Sequence, residues 1–366
     1  MTTDHIYTLV NSIAAQSTGH SGIVACDTST LVSLGNAVLS SSSNTEAFIS
    51  TLLQRIGRTI MDYRRYRNRF SDMVLNDFEY GKILQKIKVV MPEAVDDPTY
   101  DLVDGQSEDP WTVYKPGAIQ KLFVKRTPYM FAQTISRKAL QEAFLSPEAM
   151  GGFISSVMGE MRNAVEISLE NLGRLTINNF IAETANKIDL VTEWNSFGNS
   201  LTASTALLDK DFLAYAIRRI NEVFDLMQSM TEMFNDGSVA RFTPRGDMRV
   251  KLVSPFVRAA ETVVQYAAFN EELVSVDATY MKVPFWQSPQ TPMDLEVDRA
   301  SDQADTAISN IIGIVHDRDA LGIYQIDEEV NTTPLNAKAR YYTTYMHEEQ
   351  LWFNDLSESF VYFTLN

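Results

Sequence analysis

Cysteine occurs once in the 366 residues, at Cys26. An internal disulfide and any multi-cysteine metal cluster are thereby excluded, and a lone thiol fits a reducing compartment. Histidine is almost as scarce. His5, His20, His316 and His347 stand in unrelated stretches, which leaves few candidates for a general base or a metal triad. No lysine or arginine precedes Arg55, so the basic start of a secretory or transit peptide is missing. No apolar run approaches the roughly 20 residues of a membrane span. Glycine-rich phosphate cradles, the nucleophile elbow and the H-E-x-x-H zinc helix are absent as well. Positive charge is short overall: 31 Lys and Arg against 47 Asp and Glu, a net charge of -16. A chain so acidic does not coat nucleic acid by neutralising phosphates.

What is present begins with an ordinary globular composition, 45% hydrophobic and 21% charged, in a length that allows two or more modules. The organising stretch is Ser146 to Asn186. Phe153, Val157, Met161, Ala164, Val165, Leu169, Leu172, Leu175 and Phe180 recur every three or four residues, which predicts one long helix with an apolar stripe. Ser146 suits the N-cap, Pro147 the first helical position and Glu148 the positive end of the dipole. From Pro147 to Ala185 such a helix spans roughly 58 Å. Gly151, Gly152, Gly159 and Gly173 each cost it about 1 kcal/mol relative to alanine, so packing must hold it.

Residues 1–44 are rich in Ser, Thr, Asn and Gly and read as an extended arm, followed by a short helix through Phe48, Leu52, Leu53, Ile56 and Ile60. Gly81 to Met91 and Ala118 to Gln133 have strand composition and read as the two arms of a hairpin. Ten residues of such an arm reach about 33 Å, farther than a chain needs to serve its own core. Between the arms, Glu93, Asp96, Asp97, Asp101, Asp104, Glu108 and Asp109 stand without a basic residue, and the spacing of an EF-hand is missing. This predicts a solvated or partner-facing acidic tip. After the long helix, helices at Asp209 to Met233 and Pro255 to Val274 alternate with strands at Arg249 to Val253, Ile311 to Val315 and Leu321 to Ile326, which marks a mixed domain. Tyr341 to Trp352 and Ser359 to Leu365 supply closing strands.

Two stretches invite chemistry. In YRRYRNRF, residues 63–70, arginines interleave with aromatics, a pattern that suits single-stranded nucleic acid, although ion pairing with the many carboxylates is the simpler reading. His316-Asp317-Arg318-Asp319 could ligate a metal or serve a hydrolase, although a polar turn between two strands explains it more simply. Neither stretch makes a case for an enzyme, and no catalytic, metal or cofactor-binding residue is assigned.

The order of parts, together with the segments DTSTLVSLGNAVLS, EAFISTLLQRIG, TISRKALQEAFLSPEAMGGFISSVMGEM, GIVHDRDALGIY and NAKARYYTTYMHEEQLWF, resembles the major capsid proteins of tailed bacteriophages, nearest the head proteins of the phi29-like group. The resemblance implies an α+β fold of the Hong Kong 97 type. It implies an N-terminal arm and short helix at 1–75, an E-loop hairpin at 76–137 and a P-domain with the spine helix at 138–186. An A-domain at 187–317 and returning P-domain strands at 318–366 complete it. It further implies self-assembly into pentamers and hexamers of a head enclosing double-stranded DNA, assembled in the bacterial cytoplasm with a separate scaffolding protein and a portal. An immunoglobulin-like surface domain is not expected. The physics adds one expectation: the acidic tip meets basic residues of a neighbouring copy, with Arg64, Arg65 and Arg67 as candidates. The alternative remains a nucleic-acid-binding module built on residues 63–70.

Overall fold

The computed structural model describes residues 3–18, 24–56, 66–75, 83–92, 94, 97, 99, 103–107, 111, 113–115, 117–124, 126–237, 239–266, 280–298 and 305–366. The N-terminal half is built from α1 (Thr3–Thr18), α2 (Thr28–Val38), α3 (Ser42–Ile56), β1 (Val74–Leu75), β2 (Leu84–Val89), β3 (Ala118–Phe123), β4 (Arg126–Ser136), α4 (Arg137–Ala143) and α5 (Pro147–Glu183). There follow β5 (Lys187–Asp189), α6 (Leu190–Ser196), α7 (Ala203–Ala206), α8 (Lys210–Gln228), β6 (Met248–Val253), α9 (Ser254–Tyr266) and β7 (Tyr280–Val283). The chain closes with β8 (Leu295–Val297), β9 (Thr306–Ile308), β10 (Ile311–Asp317), β11 (Leu321–Thr332), β12 (Tyr341–Asn354) and β13 (Phe360–Thr364). Two compact units result, one of Met1–Glu79, Arg126–Gly173 and Ile323–Leu351, the other of Tyr80–Lys125, Arg174–Gly322 and Trp352–Asn366.

The first unit carries a sheet in the order β1-β11-β12-β4. β12 runs antiparallel to β4 from Tyr341 opposite Ser136 to Leu351 opposite Arg126, and Arg126 Nη1 meets Glu349 Oε1 at 2.7 Å. The N-terminal segment is not an extended arm. Leu9, Val10, Ile13 and Ala14 on α1, Leu31, Leu34 and Val38 on α2, and Phe48, Ile49 and Leu52 on α3 are all buried, because their spacing by threes and fours gives each helix an apolar face. Asp27 starts α2 through a capping box, accepting from Thr30 N–H at 2.8 Å while Thr30 Oγ1 accepts from Asp27 N–H at 3.0 Å. The polar composition concealed that periodicity.

Helix α5 keeps the expected start, with Ser146 Oγ accepting from Ala149 N–H at 3.1 Å. Its stripe drifts, however. Leu175 is exposed while Ile177, Phe180 and Ile181 are buried, since a helix of 37 residues at 3.6 per turn does not keep one face aligned by fixed steps of three and four. Gly173 admits Phe70 closely: a Cβ there would lie 3.1 Å from the Phe70 side chain.

The second unit has a sheet in the order β5-β13-β10-β6-β7. β13, FVYFT, is buried along its whole length, so it fits only a central position with both faces covered. It pairs with β10 and with β5. Residues Trp352–Asn366 therefore group with Arg174–Gly322, and a single returning segment at 318–366 does not match the division into compact units. Phe360 stacks on Phe180 at 4.0 Å between ring centres, and Trp286, wholly buried, donates from Nε1 to Ile311 O at 2.9 Å. Gly313 lets β10 lie close to β6: a Cβ there would meet Leu252 at 2.4 Å and Lys251 O at 3.0 Å.

Candidate assembly surface

In the second unit β2 and β3 pair antiparallel from Leu84 opposite Phe123 to Val89 opposite Ala118. The expected second arm, Ala118 to Gln133, is divided. It stays in the hairpin only to Phe123, while β4 pairs with β12, whose longer complementary ladder takes all of Arg126–Ser136.

The pleat gives the hairpin two unlike faces. On one face, Lys86, Lys88 and Lys121 converge on Asp355, whose side chain is fully buried. Their Nζ atoms lie 3.5, 2.7 and 2.8 Å from its carboxylate oxygens. Lys88 also reaches Glu358 at 2.8 Å and donates to Ser357 Oγ at 2.6 Å. Lys86 donates to the Asp319 carbonyl and lies 4.9 Å over the Phe353 ring, and Phe123 packs on Phe353 at 5.3 Å. Burial alone would raise the Asp355 carboxyl, but hydrogen bonds from Lys121, Lys88 and Ser357 hold it well below the usual carboxylate range. A buried carboxylate met by three ammonium groups and a hydroxyl is compensated, and it fastens the hairpin base to the loop between β12 and β13.

Among the described residues the opposite face has no such engagement. Ile87, Val89 and Leu122 are 63%, 63% and 56% exposed, and Ile83, Met91 and Val124 extend the apolar surface at the strand ends. Trp111, Val113 and Tyr114, farther along the same segment, are exposed too. An apolar patch on a hairpin whose other face is anchored is the chemistry of an interface.

Of the residues expected to make intersubunit contacts, Glu93, Asp96, Asp101, Glu108, Asp109, Arg64 and Arg65 lie outside the described residues. Asp97, Asp104 and Arg67 are exposed. Asp97 is occupied locally, accepting from Thr99 N–H at 2.9 Å, and hydrogen bonds from the Thr99 hydroxyl and N–H lower its pKa.

The described part of residues 63–70 has an intrachain role in the first unit. Asn163 Oδ1 accepts from Tyr66 N–H at 3.0 Å, Glu166 from Asn68 N–H at 3.1 Å and Glu170 from Tyr66 Oη at 2.5 Å. Burial, then the Glu170 hydrogen bond and charge, raise the Tyr66 pKa. Helix α5 thus holds this segment by its polar side chains, which Asn163, Glu166 and Glu170 at helical spacing could have signalled. His316 is not at an open site. It is buried at the end of β10, with Nδ1–H donating to Asp317 O at 2.8 Å and Nε2 accepting from the equally buried Lys251 Nζ at 3.0 Å. Burial first, then Lys251, push its pKa well below the ordinary value. Among the described residues no group of three acidic, histidine or cysteine side chains could hold a metal, and no helix is long and apolar enough to cross a membrane.

The family model for the Phi29-like phage major capsid protein matches residues 9–364. The chain belongs to that family. Among relatives of this capsid protein, the major capsid protein of Bacillus phage GA-1 is 25% identical over 188 residues, 50% of this chain and 37% of the relative's own length. In the capsid of Staphylococcus phage Andhra a chain superposes with a TM-score of 0.52 at 12% identity, covering 84% of this capsid protein and 87% of its own length. The capsid of cyanophage P-SCSP1u gives 0.51 at 15% identity, covering 84% and 90%. The fold is the α+β fold of tailed-phage capsids, the Hong Kong 97 type, and the protein is a structural component of a phage virion.

Proposed function

We propose that this capsid protein assembles through the outer face of its β2–β3 hairpin into pentamers and hexamers of an icosahedral or prolate head that encloses double-stranded DNA. The observation that carries this reading is the asymmetry of the hairpin: lysines fastened to a buried aspartate on one face, and Ile87, Val89 and Leu122 open on the other. A neighbouring copy covering that face removes apolar area from water at about 25 cal/mol per Å². The acidic tip, through Asp97, Asp104 and the carboxylates around them, meets Arg67 and its neighbouring arginines on another copy. With a net charge of -16, the lining does not condense DNA, so a motor-driven filling through a portal and a separate scaffolding protein fit the charge balance. Assembly takes place in the host cytoplasm, and the role is mechanical, with no catalytic step.

Electron microscopy of the purified chain, alone and with its scaffold, tests this reading. Wild type forms closed shells; Ile87→Asp and Leu122→Asp stay folded and unassembled; reversal of the tip carboxylates weakens assembly most at low salt, where exposed charges act over the longest range. Normal shells from both apolar-to-acidic variants would overturn the role of the hairpin face, and shells indifferent to tip reversal would reject the charge pairing.

A further inference from the structure

The inward face of β12 in the first unit is unusually polar. Tyr342, Thr344, Met346, Glu348 and Gln350 alternate along it, all buried. Glu348 is 4% exposed. Its Oε2 accepts from Gln350 Nε2 at 3.1 Å, while among the described residues neither its Oε1 nor Gln350 Oε1 has a hydrogen-bond partner. Tyr129 of β4 stands opposite Glu348 in the ladder. Glu328 of β11 and Glu166 of α5 repel a charge at this position, and Arg162 of α5 attracts one.

A neutral carboxyl is tolerated in such a place. A carboxylate with one oxygen unpartnered among the described residues, buried and repelled by two other carboxylates is not, because its desolvation is uncompensated. We propose that Glu348 is a proton-operated switch in the four-stranded sheet, holding β12 closed against its neighbours when neutral and loosening it when ionised. Burial, reinforced by Glu328, pushes its carboxyl up to about 7, against the lowering effects of the Gln350 hydrogen bond and Arg162. The transition therefore falls near neutral pH. The direction follows from linkage: the folded state holds this proton more tightly than the unfolded chain. The sheet therefore loses stability as pH rises from the ordinary glutamate range through about 7, and little more beyond it.

Amide hydrogen exchange on the full, unassembled chain between pH 5 and pH 9, corrected for intrinsic exchange rates, reads the switch. In wild type, protection across Arg126–Ser136 and Tyr341–Leu351 falls roughly tenfold or more as Glu348 ionises. In Glu348→Gln the fall disappears and protection at high pH exceeds that of wild type. Glu328→Gln, at an exposed position, keeps the fold and moves the midpoint to lower pH, because one repelling charge is gone. Parallel profiles for wild type and Glu348→Gln would overturn the proposal. Should Glu348→Gln not fold, an unmoved midpoint in Glu328→Gln would overturn it alone.

Discussion

At the residue scale, single side chains decide more than their neighbours. Asp355 pairs with three lysines at once, Lys88 buried and Lys86 and Lys121 half-buried, so its removal weakens all three anchors together and leaves Lys88 with Glu358 alone among the described carboxylates. Asp355→Ala is expected to destabilise the second unit by roughly 3–5 kcal/mol in denaturant unfolding, whereas removing one exposed pair such as Lys138 with Glu142 costs below about 1 kcal/mol. His316 works with the opposite sign to Glu348. Burial and the adjacent Lys251 keep its folded pKa well below the ordinary 6.5, so its neutral form is the folded one, and stability is lost as pH falls below about 6.5. Lys251→Met is expected to shrink that acid-side loss, measured as the change in unfolding midpoint between pH 7 and pH 5. An unchanged loss would mean that Lys251 does not act on His316.

At the element scale, strong periodicity was legible and pairing was not. Helix α5 could be read from Ser146, Pro147 and the three-and-four spacing that follows, because those signals are local. Helices α1 and α2 were hidden, since Ser and Thr at solvent positions mask an apolar face carried by few residues, although Asp27 and Thr30 spelled out a cap. The stretch from Ala118 to Gln133 has uniform strand composition, and nothing local says that it changes partner after Phe123. Only β12, more than two hundred residues later, decides that. For the same reason the lysines of β2 and β3 gave no hint of Asp355. The burial of His316 likewise depends on a lysine from another strand.

At the scale of the whole molecule, the chain divides its apolar surface in two ways. Most is buried within each unit, around β10 and β13 in one and among α1, α2, α3 and α4 in the other. Part of the remainder forms a cluster on a hairpin whose base is fixed by charge, whereas the order of parts and the segments that carry the resemblance made the chain recognisable as a shell protein without it. An exposed apolar face leaves no periodicity of its own: Ile87 and Leu122 read as ordinary strand residues until the other face of the hairpin is seen to be occupied. The central claim is that this outer face belongs to a neighbouring copy. Electron cryomicroscopy of assembled shells tests it most directly. The account predicts Ile87, Val89 and Leu122 buried against a neighbouring subunit while Lys88 and Lys121 remain on their own Asp355. Those three apolar side chains lying open to solvent in a closed shell would contradict it.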